Sequence, residues 1–190
     1  IEAIEKDIAS QGPLVAEDDK LITDSLAKPT ITGAKKTPWG AYVAITTPGT
    51  GNFLTEKDVA IVNYTGKSFQ DTIFDSNTEK GFNTGQPLYV DLGEFRTIPG
   101  LMDGLKMMQK GSKGVVIIPS YLAYGKNGSL PRIQPNENLV FDIEVTDIAT
   151  PQQYQQHQME EQQKMMQMQQ MQQQMQQQMQ QQRQAPPKGK

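Results

Sequence analysis

The 190-residue sequence predicts an α+β domain built on an antiparallel sheet with one short helix, flanked by a polar arm and a low-complexity tail. Three observations carry that reading. Between residues 40 and 148, short β-rich runs are punctuated by turn signals. One of them, "LVFDIEVTDI", alternates between apolar and polar residues from Phe141 to Thr146. Only one stretch of that region, "IPGLMDGLKMMQKG", repeats with a helical period. Strands that outnumber helices this heavily pair antiparallel, and the helix covers the apolar face of the sheet.

The arm, residues 1–39, carries two helical patterns. Ile1, Ile4 and Ile8 fall on one face, and Leu21, Ile22 and Leu26 follow an N-cap expected at Asp18 or Asp19. Neither pattern buries much alone, so the arm is expected to pack on another surface or to stay mobile. The domain, residues 40–148, opens with "AYVAIT", which stops at "TPGTG", and continues with the β-rich "VAIVNYTG". In the helical stretch Leu101, Leu105 and Met108 stand at i, i+4 and i+7, with Lys110-Gly111 as a basic end and C′ glycine. "GVVIIPS" reads as a short apolar strand. In "LVFDIEVTDI", Leu139, Phe141, Ile143 and Val145 share the core face, while Asp142, Glu144 and Thr146 share the solvent face. The tail, residues 149–190, is a Gln/Met-rich tract closed by "APPKGK", with Met168, Met171, Met175 and Met179 forming a narrow stripe if helical. A solvated helix outside the chemistry is the expectation; protein contacts through the tail are the alternative. A Cu(I) site is disfavoured, because a stripe spreads its thioethers along an axis.

Composition removes several kinds of chemistry. With no cysteine there is no disulfide framework and no thiol nucleophile. The only histidine, His157, falls in the tail, so neither a histidine-activated nucleophile nor a zinc site is expected, and no cofactor or metal is assigned. A net charge of -3 spread over both signs offers no basic stripe to nucleic acid. No apolar run is long enough to span a bilayer. "PGTGNF" is too short and too poor in Gly and Lys to cradle a phosphate, and reads as a turn.

What remains is a set of aromatic and aliphatic side chains with a few polar groups: Tyr64, Phe74, Asp75, Ile98, Tyr121, Tyr124 and Phe141. Asp75 follows Ile73 and Phe74 directly, where a carboxylate is expected to be partly buried and hydrogen-bonded. Such a set suits binding, or a reaction that needs neither proton transfer nor a nucleophile. Rotation about an X-Pro bond is one, with a barrier of ~18–20 kcal/mol set by amide resonance.

At these residues the sequence resembles the FKBP-type peptidyl-prolyl cis-trans isomerases. The phrases "VNYTGK", "IFDSN", "LGEFRTIPGLMDGLKMMQKG", "IIPSYLAYG" and "IQPNENLVFDIEV" occur in that family's order, across about residues 40–148. The resemblance implies a five- to six-stranded antiparallel sheet wrapped around a short helix, with the pocket between them. It implies catalytic positions at Tyr64, Phe74, Asp75, Ile98, Tyr124 and Phe141, and substrate-binding positions at Leu88, Thr97, Leu101, Tyr121 and Ile133. By that analogy Tyr64, Phe74 and Phe141 are walls around the prolyl ring. The backbone at Thr97 and Ile98 meets a ligand carbonyl, and the Tyr124 hydroxyl donates to the bound peptide. Asp75 is an acceptor and not a base. Leu101 stands where the family often has tryptophan, which implies an open floor and weaker binding of macrolide inhibitors. Lys126 to Ile133 form a flap.

The expected activity is isomerisation of X-Pro bonds in folding polypeptides; the alternative is a peptide-binding or chaperone module with little turnover. The arm and "KKTPWG" resemble the spacer of secreted or lipid-anchored bacterial members. With a start at Ile1, that implies an extracytoplasmic location and a membrane tether outside this sequence, with the cytoplasm as the alternative.

Overall fold

The computed structural model describes residues 2–26, 33–82, 85–94 and 96–184; Ile1 of the first helical pattern and the closing "APPKGK" lie outside them. The described residues divide into two compact units, one ending at Pro151 and the other beginning at Gln152. In chain order the elements are α1 (Glu2–Ser10), α2 (Gly12–Leu26), β1 (Lys35–Lys36), β2 (Tyr42–Thr47), β3 (Thr50–Phe53), β4 (Val59–Ser68), β5 (Ile73–Ser76) and β6 (Leu88–Asp91). There follow α3 (Pro99–Leu105), β7 (Gln109–Lys110), β8 (Lys113–Ile118), β9 (Leu139–Ala149) and α4 (Pro151–Gln184).

All pairings are antiparallel, in the order β1-β2-β8-β9-β4-β5, with β6 also on β4; β3 and β7 form a separate ribbon. The sheet thus has seven strands where five or six were expected. A two-residue strand extends one edge, and two short strands share the free edge of β4: β6 along Val59–Val62 and β5 along Thr65–Lys67. The gap between them is closed by Asn77. Its Oδ1 accepts the Tyr64 N–H at 2.7 Å, and its Nδ2 donates to the carbonyls of Val62 and Gln86 at 3.0 and 2.9 Å. A buried side-chain amide here replaces the missing strand residue, leaving no orphaned amide in mid-sheet.

The inner face of β9 is Leu139, Phe141, Ile143 and Val145, as alternation requires, with Phe141 opposite Gly66 of β4 and Val116 of β8. On the outer face Asp142 pairs with Lys67 at 2.9 Å and Glu144 with Lys113 at 2.9 Å. Helix α3 lies on the inner face, and its glycines set how closely. A Cβ on Gly104 would stand 2.5 Å from Val116 Cγ1, and one on Gly100 would overlap Ile118 Cγ2, so the helix backbone rests directly on β8. The helix is shorter than its apolar period suggests. After Leu105 the chain tightens into three-residue turns, Met107 N–H to Gly104 O and Met108 N–H to Leu105 O, and passes into β7.

The arm packs on its own domain. Helix α2 starts at Gly12-Pro13 and not after Asp18 or Asp19, because proline is suited to a first turn. Asp18 is in mid-helix, buried, and its Oδ2 accepts a hydrogen bond from Ser120 Oγ. Ile22 is wholly buried with Tyr42 and Ile117, and Leu26, Val115 and Val140 pack around them. Ile117 and Val140 alternate with core residues along their strands, so α2 covers part of the outer sheet face, which sequence alternation assigned to solvent. Burying Ile22 contributes roughly 1.5–3 kcal/mol. In the second unit α4 is a continuous 34-residue helix whose Met168, Met171 and Met175 are exposed.

Candidate functional site

The site is built around β4. Alternation sends Val62, Tyr64 and Gly66 to the inner face, and Tyr64 is half-buried there. Its hydroxyl donates to Asp75 Oδ2 at 2.7 Å, and the Ser76 N–H donates to Asp75 Oδ1 at 3.0 Å. Phe74 and Asp75 are neighbours on β5, and a regular strand would send them to opposite faces. A bulge prevents this. Asp75 pairs with Gly66 and Ile73 with Lys67, which leaves Phe74 as the extra residue. Both side chains then reach the inner side, Phe74 to pack and Asp75 to take the Tyr64 hydroxyl.

Phe74 and Phe141 meet edge to face with centroids 5.7 Å apart, and Tyr64 tilts against Phe141 at 6.3 Å. Gly66 makes room, since a Cβ there would fall 2.7 Å from Phe74 Cζ and 2.9 Å from Phe141 Cε1. Burial, then the hydrogen bond to Asp75, hold the Tyr64 phenol far above its usual pKa, with smaller contributions from the charges of Asp75 and Tyr124. Tyr64 therefore keeps its proton across ordinary pH. Its hydrogen-bond partner is Asp75.

Tyr124 stands at the start of the flap, is 41% exposed, and is near enough to Tyr64 to act on its ionisation. Gly125 follows at φ 54°, a left-handed turn that glycine adopts without strain. Further along, the flap closes on itself. Ser129 and Ile133 exchange backbone hydrogen bonds of 2.8 and 3.0 Å, and Arg132 Nη1 donates to the Phe74 carbonyl at 3.3 Å. Ile133 is thereby buried beside β5. Leu88, on β6, pairs with Val62, one inward position from Tyr64. Ile98 is the N-cap residue of α3, its carbonyl accepting the Leu101 N–H at 3.1 Å; Thr97 precedes it, half-buried, and Leu101 lies in the main core.

Tyr121 is not brought to this group. Its hydroxyl lies against Gly40, where a Cβ would collide with it, and Asp18, Asp19, Tyr42 and Asp103 surround it closely enough to add to the rise in pKa that burial causes. The three-residue turn at Ser120–Leu122 is the reason: it rotates Tyr121 into the core and leaves Tyr124 outward. Sequence reasoning also missed Gly66, Asn77, Ser120 and Asp18. Asn77 stood at the end of "IFDSN" with no signal beyond its position, and the others act through partners distant in sequence. Among the described residues no cluster of His, Asp or Glu is arranged to hold a metal ion. One hollow of about 560 Å³ is lined by Lys35, Val43, Ile45, Phe53, Lys106 and Met107 among others; another, of about 260 Å³, is lined by Asn63, Lys113, Asp142 and Glu144 and touches Tyr64. Neither gathers the rings of Phe74 and Phe141.

An antiparallel sheet with one glycine-seated helix on its inner face, and a ring cluster with a tyrosine–carboxylate pair at the β4–β5 bulge, defines an α+β protein with a part-buried aromatic cluster. The chain belongs to the FKBP-type peptidyl-prolyl cis-trans isomerase family, whose profile matches residues 51–146. It is 31% identical over 150 residues, 79% of its length, to a probable FKBP-type isomerase, FkpA, of Neisseria meningitidis serogroup B, of which it covers 52%. The FkpA crystal structure from Escherichia coli superposes with a TM-score of 0.59 at 32% identity, over 78% of this chain and 64% of that one. A peptidyl-prolyl cis-trans isomerase from Pseudomonas syringae gives a TM-score of 0.60 at 28% identity, over 74% of this chain and 96% of that one. The chain spans about half the length of the curated relatives it matches.

Proposed function

We propose that this chain is a peptidyl-prolyl cis-trans isomerase acting on X-Pro bonds of folding polypeptides. The observation that carries the reading is the juxtaposition of Tyr64, Phe74 and Phe141 with the Tyr64–Asp75 hydrogen bond, beside the exposed Tyr124. In this reading Tyr64, Phe74 and Phe141 receive the prolyl ring, and Leu88, Ile98, Leu101 and Ile133 extend the apolar lining. The backbone at Thr97 and Ile98, together with the Tyr124 hydroxyl, holds the peptide carbonyls.

The planar imide is more polar than the twisted one and is held by water, so a site that strips water raises the ground state more than the transition state. A donor fixed against the peptide adds an interaction that strengthens as the bond turns. Uncatalysed exchange takes tens to hundreds of seconds; lowering the barrier by ~5–6 kcal/mol brings it to milliseconds. No proton moves: Tyr64 stays protonated and both Asp75 oxygens are engaged.

A protease-coupled chromogenic X-Pro assay tests this. Turnover that falls on Asp75→Val and on Tyr124→Phe is expected. A chain that holds unfolded protein yet leaves exchange at its uncatalysed rate would be a binding module and would refute the reading. The proposed location is extracytoplasmic, periplasmic or tethered to a bacterial envelope, supported by similarity to bacterial FkpA proteins; fractionation of cells expressing the native gene checks it.

A further inference from the structure

Helix α2 and the loop that carries Tyr124 are joined by a carboxylate with no part in the chemistry above. Asp18 is 1% exposed, and its Oδ2 accepts a 2.8 Å hydrogen bond from the Ser120 hydroxyl. Ser120 is fully buried and held from two further directions. Its N–H donates to Asn138 Oδ1 at 2.8 Å, and its carbonyl accepts the Ala123 N–H at 3.0 Å. Asn138 immediately precedes β9, whose third residue is Phe141. One serine therefore ties together α2, the entry to the strand that bears Phe141, and the turn that ends two residues before Tyr124.

Attachment of α2 does not require this carboxylate. Ile22 and Leu26 already fix the helix to Tyr42 and Ile117 by apolar contact, and Lys36 pairs with Asp19 at 2.5 Å. Burying Asp18 costs stability: desolvation holds its pKa above the usual carboxylate range despite the donors at Ser120 and Tyr121 and the Asn138 side chain. What the buried acceptor adds is direction. Apolar packing tolerates small rotations of the turn, whereas a hydrogen bond at both its N–H and its hydroxyl does not. We propose that Asp18 is a positioning residue for the peptide site: through the Ser120 hydroxyl, α2 fixes the turn that presents Tyr124. The proposal rests on the isomerase reading above for the role of Tyr124.

The full chain serves for the test, carrying Asp18→Ala, Asp18→Asn or Ser120→Ala, each alone and combined with Tyr124→Phe. Peptide turnover is measured alongside ring signals of ¹³C-labelled tyrosine, with Lys20→Ala on the exposed side of α2 as the control. Asp18→Ala and Ser120→Ala should lower kcat/KM about three- to tenfold, the size of one lost hydrogen bond, with kcat falling because the displaced donor is one that strengthens as the bond turns. They should also shift the Tyr124 ring signals. Asp18→Asn, which keeps an oxygen for the Ser120 hydroxyl, should recover most of the loss. On the Tyr124→Phe background neither alanine variant should cost more, since the residue they position no longer donates. An equal further loss on that background, or Tyr124 signals that stay in place in both alanine variants, overturns the proposal. Should Asp18→Ala not fold, Ser120→Ala carries the same comparison. If the unmodified chain turns over no peptide, the isomerase reading fails by itself, and the ring signals still decide whether Asp18 places Tyr124.

Discussion

Replacing Gly66 by alanine attacks the ring cluster without touching a ring. The new Cβ would stand 2.7 Å from Phe74 Cζ, 2.9 Å from Phe74 Cε2 and 2.9 Å from Phe141 Cε1. Carbon atoms rest about 3.5–4.0 Å apart, so both rings must retreat by about an ångström. Two effects oppose each other. Alanine within a strand gains roughly 0.5–1 kcal/mol over glycine, because the unfolded chain has less freedom to lose. Overpacking costs about 1–3 kcal/mol, and loosening an edge-to-face ring pair costs up to about 1.5 kcal/mol more. The loss wins by about 1–3 kcal/mol, equivalent to a drop in Tm of roughly 2–4 °C per kcal/mol for a chain of this size.

Thermal melts followed by circular dichroism, with peptide turnover on the same samples, measure both consequences. Turnover should fall together with Tm, because the displaced rings are the proposed walls of the site. Gly66→Ala combined with Phe74→Leu should regain stability, the smaller side chain yielding to the methyl, without regaining turnover. A Gly66→Ala chain that melts no lower than the parent and isomerises at the parent rate would show that the rings do not meet over Gly66.

Tyr64→Phe keeps the ring and deletes the donor to Asp75; since both groups are partly exposed, about 1 kcal/mol of stability should be lost, read as a lower urea midpoint at unchanged slope. Asp103, buried beside Thr37 and Lys106 and accepting the Trp39 N–H at 2.8 Å, has its pKa raised above the ordinary 3.8 by desolvation. Its folded form thus holds a proton that the unfolded chain has lost. Its contribution is full below pH 3.8 and is lost as pH rises through the folded value, so Asp103→Asn should flatten this fall, and urea titrations that remain parallel to the parent from pH 3.5 to 7 would contradict it. A chain ending at Pro151 retains every site residue and should match the full chain in turnover; a large loss would give the Gln/Met-rich helix a part in the reaction.

How much of this was readable from sequence depended on the range of the contacts. Period two sorts Leu139, Phe141, Ile143 and Val145 from Asp142 and Glu144 because each residue's face follows from its neighbours alone. The bulge at Phe74 is set by β4, whose Gly66 has room for two rings, so no local pattern reveals that Phe74 and Asp75 reach the same side. Asp18 and Asp19 looked like a helix start because acidic residues favour that position. Asp18 instead serves Ser120, 102 residues away, while Pro13 marks the true first turn. "SYLAY" offered two tyrosines three positions apart, and only the turn at Ser120–Leu122 decides which one faces outward.

The same turn is why one serine is proposed to matter to a site that contains no serine. The proposed walls of the site sit on β4, β5 and β9, where seven-strand pairing holds them. The proposed donor, Tyr124, sits on a loop held by turns of its own backbone and by a few side-chain grips on the rest of the domain. On this loop the grip is Ser120 between Asn138 and Asp18, at one end, and Arg132 on the Phe74 carbonyl, at the other. The proposed reaction relies on placement and dryness, with no proton to transfer, so it is sensitive to angles more than to acidity. On that reading the residues that set the loop's angle belong to the site's chemistry as much as the rings do.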